Sequence, residues 1–171
     1  ETASWFIETT RAESNRIAVM TLVDDPQSDY WAWEQMIGGQ ANANRKTAYL
    51  FTRDLAPAGD SARVAVRLLG GSNSDPSPDH HVIVRLNGTQ VGETSWEGKQ
   101  AREAQWDVAT GLLREGTNTV EVEALRDSGV PYSLVYLDRV DLSYPRALRA
   151  RDGWLRFSGD GRAVQIVGFG S

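Results

Sequence analysis

Cysteine is absent from the 171 residues, which removes disulfides, thiolate metal sites and a cysteine nucleophile together. It leaves the compartment open, because many exported bacterial proteins also lack cysteine. Histidine is scarce, with only His80 and His81 in the whole chain. No apolar run approaches the roughly 20 residues that span a bilayer as a helix, so membrane insertion is not expected. Helical periodicity sustained over three turns is also missing, and helix should be a minor component. Nor is there an excess of basic charge. The net charge is −5, and arginines alternate with acids at Arg53-Asp54, Arg126-Asp127, Asp138-Arg139 and Arg151-Asp152. A nucleic-acid partner needs a basic surface or a dense basic stripe, and this mixed-charge pattern argues against one. No signal peptide opens the chain, and Glu1 is not an initiator methionine; the sequence reads as a processed or excised piece of something longer.

What the chain does have is alternation. Val82, Val84 and Leu86 alternate with Ile83 and Arg85, the period of a strand with one buried face. Asn87-Gly88 then offers the positive φ angles of a type I′ hairpin turn, and Thr89 to Thr94 reads as the returning strand. Val120, Val122 and Ala124 face inward against Glu121 and Glu123, and Val140, Leu142 and Tyr144 share a face further on. Pro145 should end that strand, since it has no N–H to donate. Asp107 to Leu113 reads as a short helical turn, and 114–118 (REGTN) as a tight connection. Ala62 to Leu69 and Thr47 to Thr52 are further strands, with shorter ones at Ser4 to Ile7 and Arg16 to Val23. The expectation is an all-β, jelly-roll-like antiparallel β-sandwich over residues 1–150. Residues 151–171 should add a small C-terminal β-hairpin around Gly159-Asp160-Gly161, the start of a following module in one reading.

Catalytic constellations are hard to find. Asp79-His80-His81 invites a metal or general-base reading, but adjacent strand residues point to opposite faces and would rarely share one ligand sphere. No nucleophile elbow or phosphate-binding glycine loop is present. The chain is therefore read as not an enzyme. The acidic loop with Asp24, Asp25 and Asp29 has the oxygen-rich character of a calcium site, although it lacks EF-hand spacing and such residues are good turn formers in their own right. A structural Ca²⁺ is the one cofactor suggested. Six tryptophans are many for this length. Aromatic faces are what sugar rings and protein hot spots stack on. Trp31 and Trp33 lie two apart in a strand-like window, and Trp96 sits between polar residues; Tyr30, Trp31, Trp33 and Trp96 are thus the expected carbohydrate-binding platform. Trp106 looks like a core plug.

Two resemblances follow from quoted motifs. The run V-x-V-x-L-N-G, then W-x-G, then D-V-A-T-G-L-L-R-E-G-T-N-T-V-E-V is similar to the galactose-binding-like jelly rolls attached to many glycoside hydrolases. The stretch Tyr136-Leu137-Asp138-Arg139-Val140-Asp141-Leu142-Ser143-Tyr144-Pro145-Arg146, with Val167-Gly168-Phe169 beyond it, resembles a non-catalytic sandwich region of gingipain-like (C25) cysteine peptidase family proteins. That resemblance implies a secreted or cell-surface bacterial protein, with the catalytic residues in another domain. Together these readings imply an accessory module that binds polysaccharide through exposed aromatics. The alternative is an interaction domain packing against neighbouring domains of the same parent protein.

Overall fold

The computed structural model describes residues 4–19, 29–57, 61–157 and 163–169. Among them the chain forms β1 (Trp5–Glu13), β2 (Ile17–Ala18), β3 (Trp31–Ala32), β4 (Glu34–Ile37), β5 (Arg45–Thr52) and β6 (Ser61–Gly70). Next come β7 (His80–Leu86), β8 (Thr89–Trp96), β9 (Ala101–Ala109), one 3-10 turn (Thr110–Leu112), β10 (Gly116–Leu125) and β11 (Leu134–Ala147). One antiparallel sheet has five strands, in the order β1-β11-β6-β9 with β4 also on β11; the other has four, β5-β10-β7-β8. A two-stranded β2-β3 ladder stands apart. This is the all-β antiparallel sandwich that the alternation implies.

Each central strand sends every second side chain inward. Val64, Val66 and Leu68 of β6 and Val140, Leu142 and Tyr144 of β11 meet Val82, Val84 and Leu86 of β7 and Val120, Val122 and Ala124 of β10 in one buried cluster. Burying each Val or Leu contributes about 1.5–3 kcal/mol, so this alternation is the main source of stability. The β7–β8 turn has φ of +50° at Asn87 and +87° at Gly88, the left-handed pair a type I′ turn requires.

The two sequence motifs at the paired ends of β7 and β10 are one hydrogen-bonded unit. The Asn87 side chain donates to the Leu112 carbonyl and to Asn118 Oδ1, both at 2.8 Å, and accepts the Thr119 N–H at 3.0 Å. Buried Asn118 in turn accepts the Arg114 N–H (2.9 Å) and donates to the Arg114 carbonyl (2.9 Å) and to Thr52 Oγ1 (3.0 Å). The asparagines therefore tie the hairpin end, the 3-10 turn, the start of β10 and the end of β5 into one knot.

Three local expectations need correction. Strand β9 runs to Ala109, so the helical turn shrinks to Thr110–Leu112. The connection read over 114–118 is shorter, because β10 already begins at Gly116. Pro145 does not end β11, which pairs on to Ala147 against β1, with Pro145 opposite Ile7. A strand residue's N–H and C=O point to the same side, and the Pro145 carbonyl accepts the Ala56 N–H at 3.0 Å, on the edge away from β1. The missing N–H thus falls beyond the last β6 partner, Ser143↔Arg63, and costs the β1 ladder nothing. The hairpin apex expected at Gly159-Asp160-Gly161 lies outside the described residues.

At one margin of the sandwich Trp106 of β9 crosses to lie on Gly92 of β8, as its core-plug character implied. A Cβ on Gly92 would come within 2.2 Å of the indole. Replacement by alanine must therefore displace the ring. Gly92→Ala is expected to lower stability by about 1–3 kcal/mol, the usual cost of overpacking, and to shift tryptophan emission; an unchanged urea midpoint would contradict this packing.

Candidate binding surface

The four aromatics expected to form a platform are dispersed. Trp96 is corrected outright: it is the last residue of β8, 8% exposed, and its ring lies 4.8 Å from the His80 ring in the core. Its polar sequence neighbours Ser95 and Glu97 alternate outward, and parity carries the indole in. Trp33 packs against the core with Lys46 Nζ 4.8 Å above its ring. Trp31 stays open at 36% and leans on Tyr30, ring centroids 5.6 Å apart and 32° from coplanar. Asp29 Oδ1 accepts the Trp31 N–H at 3.1 Å. Asp24 and Asp25, and with them most of the expected acidic loop, lie outside the described residues. Among the described residues no three His, Asp or Glu side chains converge as a metal-binding group.

The histidines face opposite ways. His80 is fully buried. The Ser72 carbonyl, 3.2 Å from Nε2, can only accept, so Nε2 carries the hydrogen and Nδ1 takes one from Ser133 Oγ at 3.0 Å. Burial holds this imidazole below the ordinary histidine range, against the pull of its hydrogen bonds and Asp79. His81 points out and meets Asp127 Oδ2 at 2.7 Å through Nδ1. Asp79 is no cation ligand either. Its buried carboxylate accepts the Ser74 N–H (2.6 Å), the Ser74 hydroxyl (3.1 Å) and the Gly98 N–H (2.7 Å). Burial alone would raise its pKa, but those donors together hold it below the usual range.

The widest aromatic exposure is elsewhere, on β5. Ala48, Leu50 and Thr52 turn into the core, so Tyr49 and Phe51 stand on the outer face, 70% and 61% exposed. Two residues of strand separate them, about 7 Å, which sets the rings side by side. Opposite them in register are Thr119 and Thr117 of β10. Further along the same face Glu123 is held by Arg85 (2.6 Å), Arg45 (2.9 Å) and Asn44 (3.0 Å), and Glu121 by Arg85 (2.9 Å). Although burial opposes it, this ring of donors holds Glu123 below the carboxylate range. The outer sheet face is thus divided into an aromatic and hydroxyl zone and a neutralised ionic zone. Sequence reading had identified the strand but not the face, since both of its alternating sets contain apolar residues.

Against solved structures, the backbone is similar to a part of PorU from Porphyromonas gingivalis in its dimeric latent form, with a TM-score of 0.63 at 9% identity. That likeness establishes the fold. It covers 89% of this chain but only 14% of the PorU chain. Sequence resemblance to the gingipain-like family and backbone likeness to PorU agree on a β-sandwich. Two carbohydrate-binding modules overlap less well. One is the CBM36-1 domain of a multidomain xylanase from the hindgut metagenome of Trinervitermes trinervoides, with a TM-score of 0.47 and 12% identity over 80% of this chain and 96% of that one. The other is a CBM36 in complex with calcium and xylotriose, with a TM-score of 0.45 and 14% identity over 79% and 98%. No protein-family model and no curated protein matches the sequence.

His80 makes stability depend on pH. The unfolded imidazole binds its proton near 6.5 and the folded one only at lower pH, so the unfolded state gains protons first as pH falls. Its contribution is intact above 6.5 and is lost as pH drops through that value toward the folded pKa. Urea midpoints between pH 7.5 and 5 should fall less steeply for His80→Gln than for the wild type; parallel curves would mean that His80 is not held neutral.

Proposed function

We propose that the chain is a non-catalytic accessory binding module of a secreted, multidomain bacterial protein, and that it holds polysaccharide against the Tyr49–Phe51 row. The observation that carries this reading is the exposure of both rings on one flat strand face. An isolated large aromatic on a surface needs no explanation, but two side by side form a platform. The C–H face of a pyranose ring stacks on such a surface, and the Thr117 and Thr119 hydroxyls alongside are suited to bond its equatorial oxygens. The exposed Trp31, backed by half-buried Tyr30, is a second, smaller contact of the same kind.

A second reading has its own observation. Trp5, Ile7, Val167 and Phe169 also expose apolar surface, the feature that a neighbouring domain would cover. The two are separable by affinity electrophoresis on a panel of soluble polysaccharides. The wild type should be retarded on at least one of them, and Tyr49→Ala and Phe51→Ala should each weaken retention roughly fivefold, about 1 kcal/mol of stacking. Ile7→Ser should leave it unchanged. No retardation on any polysaccharide would overturn the carbohydrate reading and leave the domain-packing one.

A further inference from the structure

The aromatic row does not end at Phe51. Two residues on, Arg53 keeps the same outward parity and lines a cleft of about 310 Å³ where the edge strands β1 and β5 come together. Glu8, Arg146, Arg151, Trp154 and Arg156 complete most of its wall. The arginines have unequal work. Arg146 is buried and already committed, donating to Glu8 at 2.9 Å and to Asp54 at 3.2 Å. Arg151 is bonded to the same Asp54. This double pairing, Arg151 foremost, holds the Asp54 carboxyl below its ordinary range in spite of burial.

Arg53 and Arg156 are different. The Arg53 guanidinium stops 3.8 Å from Glu8, an acid that Arg146 has already neutralised. Arg156 meets no carboxylate within ion-pair distance among the described residues. Against them the wall offers only one further acid, Asp152, so the cleft carries a positive surplus in an otherwise acidic protein. Trp154 stands beside these cations with 67% of its surface open. It is held there by a tight turn, with Asp152 at φ +50° and Gly153 at φ +79°, closed by reciprocal backbone bonds between Arg151 and Trp154 at 3.0 and 3.1 Å. Two guanidinium forks without a full partner, next to an open indole, suit a flat ring that bears a carboxylate.

We infer that this cleft is an anion subsite continuing the Tyr49–Phe51 row, and that the polysaccharide it takes is one with carboxylates on its sugar rings. The sugar face lies along Tyr49, Phe51 and Trp154, and the carboxylate meets Arg53 and Arg156. The inference rests on the carbohydrate reading proposed above. It narrows the ligand from glycans in general to acidic glycans.

The test is binding of the whole chain to polygalacturonate, alginate and hyaluronate, each beside its methyl-esterified form, which keeps the sugar rings and removes the charge. At least one acid form should bind about tenfold more tightly than its ester, as expected for a charge-assisted bond to arginine. Arg53→Ala and Arg156→Ala, both on exposed side chains, should abolish that preference while leaving ester binding in place. Tyr49→Ala should weaken both forms. Equal binding of acid and ester, or retention on neutral glycans alone, overturns the anion subsite and spares the aromatic row. Polyglutamate binding as tightly as the acid glycans, with the same loss in Arg53→Ala, would also overturn it, by showing an anion patch indifferent to sugar.

Discussion

The architecture depends on β11 being paired along both of its edges. β6 covers one side from Arg63 to Gly70, while β4 and β1 lie end to end along the other, from Leu134 to Leu137 and from Arg139 to Ala147. The β6 pairing slips in register at Asp138, level with the point where β4 gives way to β1 on the other edge. Because buried N–H and C=O groups must be matched, fixing this one strand fixes the register of its neighbours. Val140, Leu142 and Tyr144 then fall inward by parity alone and set the floor of the core.

The last inward positions of β11 turn polar. Tyr144 donates its hydroxyl to Glu8 at 2.9 Å and accepts the Arg53 N–H at 3.2 Å; its pKa is pushed up to about 12, chiefly by burial. Arg146 follows on the same face and bridges Glu8 to Asp54. One end of the sandwich is therefore closed by charge where the other layers close by apolar packing. Removing one partner from such a buried pair typically costs several kcal/mol, because the other charge is left stranded. The consequence for function is positional. The closure clamps β1 beside β5, and only with those edges together do Arg53, the β5 aromatics and the 151–156 segment share a surface.

What could be read from the sequence follows from which faces are buried. β7 and β10 were legible because their core residues recur at every second position, with Arg85, Glu121 and Glu123 between them. β9 was not, since Ala101–Ala109 is an edge strand in which Val108 alone is buried, and its apolar signal is too thin to see. Trp96 was misread because composition around it is polar, whereas position on the strand decides burial. The type I′ turn at Asn87-Gly88 was recoverable from two letters. That the same asparagine is bonded to Asn118, 31 residues away, was not. The charged cleft lies further still beyond sequence reading, as Glu8 and Arg146 are 138 residues apart.

Asn87 has one more consequence, for the ageing of the protein. An asparagine before glycine is the sequence most prone to deamidation, in which the next backbone nitrogen attacks the side-chain amide carbon. Here both ends of that amide are already engaged, two hydrogens given to oxygens of Leu112 and Asn118 and the oxygen taken by Thr119. The folded chain shields this reactive amide by the same bonds that lock its hairpin to the neighbouring β10 motif. Were the amide to hydrolyse, the new carboxylate would have no hydrogens to give the Leu112 and Asn118 oxygens it faces, and chemical damage at one residue would loosen the whole knot.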